Sequence, residues 1–370
     1  MRRTIVVGGG IAGLSLAWQL AAGGARRVTL LEREIFPGTH SSARNAQIWL
    51  PIDDDETTGP LAARTAALIG ELVGGEAGWL RRADAIVIVE TDEAARSIER
   101  GAARGGLSLR AASSDELARE SPMLRATGEP AFLVEGAGIL DPSAMISALV
   151  RACRRAGVTL VLEASATRIE VERDRVSGVV LDDGTRIPAE EVVNAAGAWA
   201  RALGSTAGVD VPLVPLRRHL VVLDGDPRRA GTTVWRFVEP QVYWRPESGG
   251  VLASPCDETP FDPCLPPADA SALEALAVAL EPIAPELIEA PVRTSWACLR
   301  TYAHDRELVL GPDPRVEGLI WMAGFGGRGM TVAIGAAELC AQAMRSRPDP
   351  LLERMRPDRA QPAAMFDPAC

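Results

Sequence analysis

Short apolar runs alternate with helical spacing along most of the chain. Thr4–Val7 is a β-branched run without polar alternation, which predicts a strand buried on both faces of a parallel sheet. A small-residue helical pattern follows to about Ala22, Gly23-Gly24 stops it, and a second apolar strand, Val28–Leu31, ends in Glu32. Helical spacing recurs over 60–80, 93–104 and 115–124, and from the N-cap candidates Asp141 and Ser143 to Ala156, where Gly157 stops it. Strands are expected at 85–90, in three runs after Gly157 whose last pair turns at Asp182-Asp183-Gly184, and at 190–194. From 211 to 310 the pattern is β-rich, with one helix near 269–281. Leu319–Ala323 then leads into four glycines and a last helix. This layout predicts an α/β chain, α+β overall. One unit would be built from 1–84, 136–212 and 295–370, and a β-rich unit, 85–135 and 213–294, inserted into it. The Pro/Arg-rich segment 347–370 is expected to be a loosely ordered tail.

The first turn carries chemistry. Gly8, Gly10 and Gly13 have the G-x-G-x-x-G spacing between a strand and a helix, with an acid at the end of the next strand. Gly8 would allow the tight turn, Gly10 the approach of a pyrophosphate, and Gly13 close helix–strand packing. The helix N-terminus offers N–H groups and a partial positive charge to phosphates, and Glu32 would accept from ribose hydroxyls. The pattern does not choose between NAD and FAD. Gly324, Gly326 and Gly329 repeat the spacing, but one helix and then the tail follow them. A second βαβ unit is missing there, so that match is accidental. Those glycines instead bring a strand end and a helix N-terminus close to a flat ligand.

Composition narrows the partners. A formal charge of −10 and a pI near 5.1 argue against nucleic acid or an anionic membrane. All 39 basic residues are arginine, which removes any mechanism that needs a lysine amine. The six cysteines (153, 256, 264, 298, 340 and 370) form no framework, so reduced thiols and a cytoplasmic location are expected. The N-terminal run superficially resembles a signal peptide, but its glycine spacing has the better explanation above, and no apolar stretch reaches a membrane span. His40, His219 and His304 lack metal-ligand spacing, and no metal site is expected.

Gly8–Gly13, Glu32, the small polar turn Ser41–Asn45 and the strand end Asn194–Trp199 together resemble the D-amino acid oxidase/dehydrogenase superfamily of FAD enzymes, which includes glycine oxidase, sarcosine oxidase and D-arginine dehydrogenase. The resemblance runs through nearly the whole chain and is weakest in the middle. It implies a Rossmann-like FAD-binding domain with an inserted antiparallel β-rich substrate domain. Beside the three glycines, FAD would touch Ile11, Ala12, Glu32 and Arg33. Ser42, Ala43, Arg44 and Asn45 would pass along the pyrophosphate and ring. Ala166 would border the adenine, and Ala196, Gly197 and Trp199 would close over the nucleotide. Gly324, Gly326, Gly327, Arg328, Gly329, Met330 and Thr331 would meet the flavin ring, with N–H groups at 328–331 stabilising the charge that develops at N1/O2.

By the same resemblance Arg300 would hold a substrate carboxylate in a bidentate fork, unless it is a structural arginine. Tyr243 would bond the same carboxylate or be a core tyrosine. Alternation lets one of Arg217 and Arg218 face the pocket, and Arg218 is the choice. Tyr302 and His304 would line the pocket or cap a strand. Cys298 sits where sarcosine-oxidase-type members link the flavin covalently. The rest of the motif leans toward dehydrogenase-like members, so a covalent link is possible but not favoured. The acidic run Asp53–Glu56 would select a cationic side chain or be a solvated turn.

The implied reaction is oxidation of the C–N bond of a D-amino acid, glycine or N-alkyl amino acid by hydride transfer from the α-carbon to flavin N5, the imine then being hydrolysed. Oxygen or another acceptor would take the electrons, and the missing lysine favours dehydrogenase behaviour. Two alternatives stay open. One is oxidation of a 2-hydroxy acid with His219 or His304 as base, and the other a flavin-binding subunit without turnover.

Overall fold

A computed structural model of the chain describes residues 1–345 and 349–359. Its first sheet has six strands in the order Val309–Pro312, Leu319–Ala323, Glu191–Asn194, Arg2–Val7, Arg26–Leu31 and Thr159–Val161. All neighbours are parallel except the first pair. The β-branched run at the N-terminus is therefore the central strand, apolar toward both faces. Helices Ile11–Ala22, Thr58–Val73, Pro142–Arg155 and Gly329–Ala343 cover one face, where Leu14, Leu61, Met145 and Ala337 share a core. The antiparallel hairpins Ala166–Glu172, Arg175–Leu181 and Arg186–Pro188 cover the other. Asp141 caps its helix by accepting from the Ala144 amide at 2.8 Å. At the opposite end of the central strands, buried Arg26 grips buried Glu191 at 2.6 and 3.0 Å, and Thr4 Oγ1 donates to the same carboxylate at 2.7 Å. This bidentate pair staples three parallel strands.

The second sheet has nine strands and is mostly antiparallel, with one parallel pairing between Thr233–Arg236 and Ala85–Ile88. Its longest pairing joins Leu213–Asp224 to Val292–Ala303, from Leu213 opposite Ala303 to Leu223 opposite Val292. Residues 295–303, expected with the nucleotide-binding unit, thus belong to this sheet, because a continuous ladder outweighs their nearness in sequence to Leu319–Ala323. Helix Ser271–Leu280 packs on the far face with Val221, Trp244 and Val251.

The expected loose tail also needs correcting for 349–359. Asp349 caps helix Pro350–Glu353 and pairs with Arg64 at 3.0 Å. Leu352 and Met355 are buried, and the Leu310 amide donates to the Met355 carbonyl at 2.8 Å. Two apolar side chains and a backbone bond hold a segment whose composition alone reads as disordered. The rest of that expected tail, 347–348 and 360–370 with Cys370, lies outside the described residues. No helix among the described residues is long and apolar enough to cross a membrane.

Candidate functional site

The site forms where the C-terminal ends of the parallel strands meet the near face of the second sheet. Gly8 has φ +108°, and a Cβ there would lie 2.3 Å from the Ala195 carbonyl oxygen. A Cβ on Gly13 would lie 1.9 Å from the Gly8 oxygen, so Gly13 packs beneath the turn and lines no cavity. Gly10 faces open space apart from Ser42, whose hydroxyl accepts from the Ile11 amide at 3.0 Å. Glu32 is 6% exposed and accepts from the Gly9 amide at 2.7 Å and the Glu34 amide at 2.9 Å, one per carboxylate oxygen. Backbone donors thus aim its remaining lone pairs into the cleft.

The larger cavity, about 550 Å³, is lined at this end by Gly8, Gly10, Glu32, Arg33, Ser42, Arg44, Ala166, Ala196, Gly197 and Trp199. Arg33 lies over the Trp199 ring at 4.6 Å, and His40 meets the same ring edge-on at 4.9 Å with its Nε2 2.9 Å from Glu34. The turn 41–47 is stitched to the second sheet by Ser41 Oγ to the Leu299 carbonyl at 2.6 Å and Arg44 Nε to the Ala297 carbonyl at 3.2 Å. Asn45 shapes the turn itself, donating to the Ser42 carbonyl and accepting from the Gln47 amide, both at 2.8 Å. Ala43 lines neither cavity and only closes the turn, its amide bonding to the His40 carbonyl at 3.1 Å.

Sequence reasoning missed His40, Ser41, Thr206, and Cys264, Leu265 and Pro266, all lining this cavity. Ser41 belongs to the polar turn already singled out, and His40 directly precedes it. The last three had no signal, since only tertiary folding brings them here.

A smaller hollow, about 120 Å³, continues the cleft and shares Gly10, Ser42, Gly197 and Leu299 with it. Ile11, Ala12, Asn45, Arg300, Gly324, Gly326, Gly327, Gly329 and Met330 line it. A Cβ on Gly326 would sit 2.1 Å from the Tyr302 ring. Arg328 and Thr331 are absent from this lining. The Arg328 guanidinium turns away to Asp55 at 2.7 Å, Thr58 Oγ1 at 2.8 Å and the Arg306 carbonyl at 2.6 Å. Its amide bonds to the Phe325 carbonyl, and that of Thr331 to the Arg328 carbonyl. Of the four N–H groups expected at the ring, those of Gly329 and Met330 stay available in the first helical turn.

On the second sheet, Arg218 stands opposite Cys298 and Leu216 opposite Arg300. Alternation puts Arg218, Cys298 and Arg300 on one face, and the last two line the cleft. Arg217 points the other way, 3.1 Å from Asp269. Arg218 is largely committed: Nε donates to the Asp257 carbonyl and Nη2 to Glu258, both at 2.8 Å, and Glu258 also holds Arg306. Burial disfavours the Arg218 charge, but Cys256, Tyr243, Tyr302 and Glu258 around it raise its pKa above the ordinary arginine value. Tyr243 is buried, within electrostatic reach of Arg218 and Arg300, and burial holds its hydroxyl above the ordinary value. Tyr243 and Arg218 line neither cavity, although the register puts them on the same face of the sheet as Cys298 and Arg300. Arg300 differs from both other arginines. It is 6% exposed, and its guanidinium has no hydrogen-bond or ion-pair partner among the described residues.

His219 is unsuited to the role of base. Its Nε2 accepts from the Asp269 amide at 3.1 Å and its Nδ1 faces Asp257 at 2.7 Å, so neither ring nitrogen is left for a substrate. The acidic run is paired at three of its four positions. Asp54 holds Arg100 and Arg104, Asp55 holds Arg328, and Glu56 holds Arg354. Its reading as a solvated turn gives way to one of interelement ion pairs.

Known proteins share this architecture. The L-proline dehydrogenase of P. horikoshii superposes with a TM-score of 0.84 at 22% identity, covering 96% of each chain. Glycine oxidase of Geobacillus kaustophilus is 28% identical over 335 residues, 86% of each sequence. Mitochondrial dimethylglycine dehydrogenase of Mus musculus is 29% identical over 266 residues, 68% of this chain and 30% of the relative. The chain thus matches about a third of that relative's length. Residues 3–343 match the family described as FAD dependent oxidoreductase, and to that family this chain belongs.

Proposed function

We propose that this protein oxidises the C–N bond of an amino acid, either a D-amino acid, glycine or an N-alkyl amino acid, with FAD as the electron acceptor. The six-stranded side would hold the cofactor and the nine-stranded sheet the substrate. The cleft fits FAD chemically: an unobstructed glycine backbone and a helix N-terminus suit the pyrophosphate, and buried, backbone-oriented Glu32 suits a ribose. When bound, FAD supplies two-electron acceptance.

The observation that carries the reading is Arg300. A guanidinium almost withdrawn from water, facing the hollow and without a carboxylate partner among the described residues, is matched by a substrate carboxylate. Arg300 would fix that carboxylate in a fork, the neighbouring Tyr243 hydroxyl would support it, and Arg218 would add positive potential without leaving Glu258. Held so, the α-carbon has a restricted position over the ring end of the cleft. A substrate amine bound in its neutral form needs no protein base. A hydroxy acid does, and of the two histidines that could serve, His219 has both ring nitrogens committed to Asp257 and Asp269.

The names of the glycine and dimethylglycine relatives support small or N-alkylated substrates. A chain without lysine supports an acceptor other than oxygen. We read the cofactor as non-covalent, so acid precipitation should leave a colourless pellet. The deciding experiment is anoxic bleaching of the purified flavoprotein by D-amino acids, glycine, N-methyl amino acids and 2-hydroxy acids. Bleaching by hydroxy acids alone would overturn the proposal.

A further inference from the structure

We propose that segment 261–269 is a clasp on the cofactor, in which Cys264, Leu265 and Pro266, carried by the second sheet, contact the nucleotide half of FAD and slow its release. These three residues line the same cavity as Glu32, Ala166 and Trp199, from the opposite side of the cleft. Leu265 is 53% exposed at its rim. An apolar side chain there gains little from solvent and would gain from covering a nucleotide.

The two ends of the segment are riveted to strand Leu213–Asp224. At the first end the Phe261 amide donates to the Pro215 carbonyl at 3.0 Å, and Arg217 lies 4.7 Å over the Phe261 ring. At the other, the Asp269 amide donates to His219 Nε2 at 3.1 Å and its carboxylate meets Arg217 at 3.1 Å. His219, 1% exposed, is fixed in turn by Asp257, which accepts from its amide at 2.8 Å and faces its Nδ1 at 2.7 Å. This buried histidine, which catalysis does not use, thus joins both approaches of the segment. Pro263, Pro266 and Pro267 restrict the backbone between the rivets, so little ordering entropy is lost on contact. A clasp of this build moves only with the sheet that bears Arg300, which couples cofactor retention to the substrate wall.

The inference concerns FAD binding and is tested without turnover, so it stands or falls separately from the substrate reading. In the unaltered holoprotein, alkylation of Cys264 by iodoacetamide, mapped by peptide mass spectrometry, should be at least about tenfold slower than after FAD is removed. A short cysteine peptide added to both samples serves as the reference, since burial pushes the only other partly exposed described thiol, Cys256, up to about 12 and leaves it poorly reactive. Equal Cys264 rates with and without FAD overturn the proposal. As a second measurement, FAD release on dilution, followed by flavin fluorescence, should be about tenfold faster in Leu265→Asp and close to the parent in Leu265→Met. Release from Leu265→Asp within about twofold of the parent also overturns it.

Discussion

Replacing Arg300 with methionine should move substrate affinity and stability in opposite directions. Methionine keeps much of the side-chain length and removes the charge. A substrate carboxylate would lose two charge-assisted hydrogen bonds in a site almost closed to water, each contributing about 1.5–3 kcal/mol. The loss is then about 3–6 kcal/mol, a weakening of roughly two to four orders of magnitude. The folded protein meanwhile sheds a cation that burial has desolvated and that no described side chain compensates. Removing a buried charge that has no partner relieves its desolvation cost, so Tm should hold or rise. The assay is an anoxic titration of the holoprotein with simple carboxylates, acetate and benzoate, followed by perturbation of the flavin absorbance, with Tm from the same sample. Carboxylate binding within about threefold of the parent would refute the reasoning. So would a clear drop in Tm, since it would mean that Arg300 is a structural ion-pair member.

Three further outcomes follow from other parts of the fold. Glu32→Ala removes the acceptor that orders the Gly9 and Glu34 amides and faces the cleft, so FAD affinity measured by fluorescence titration should fall about tenfold or more. Arg245 is buried and donates to the Ala46 carbonyl at 2.7 Å and to Gln47 Oε1 at 2.9 Å; Arg245→Met should therefore loosen the turn beside the cleft and lower unfolding free energy in urea by about 2–4 kcal/mol. Burial works against the Asp55 carboxylate, but Arg328, the Thr58 amide and the threonine hydroxyls outweigh it and hold the pKa below the ordinary value. That stability is present above the unfolded pKa of about 3.9 and is lost as pH falls through the lower folded value. Arg328→Gln should consequently flatten the acid limb of the stability curve measured by urea unfolding between about pH 3 and 5.

What the sequence determined by itself is local. The spacing of Gly8, Gly10 and Gly13 between a β-branched run and a helix states backbone conformation and close approach, which depend on the residues themselves. Glu32 was legible as the acid that ends the second strand of one βαβ unit, whereas its bond from the Gly9 amide, 23 residues away in sequence, came only with the structure. Strand alternation said that Arg217 and Arg218 face opposite ways, but not which of them faces the cleft side. Charge compensation was not legible. Arg218, Arg300 and Arg328 look alike in a chain with 39 arginines, and they differ only in which carboxylates the fold brings within about 3 Å of each. Likewise Asp257 and Asp269 occupy His219 through contacts that no periodicity encodes. The segment around Leu265 reaches the nucleotide cavity from another sheet altogether. Periodicity and glycine spacing act through the chain, whereas pairing, desolvation and closure act through space, and only the tertiary structure decides those.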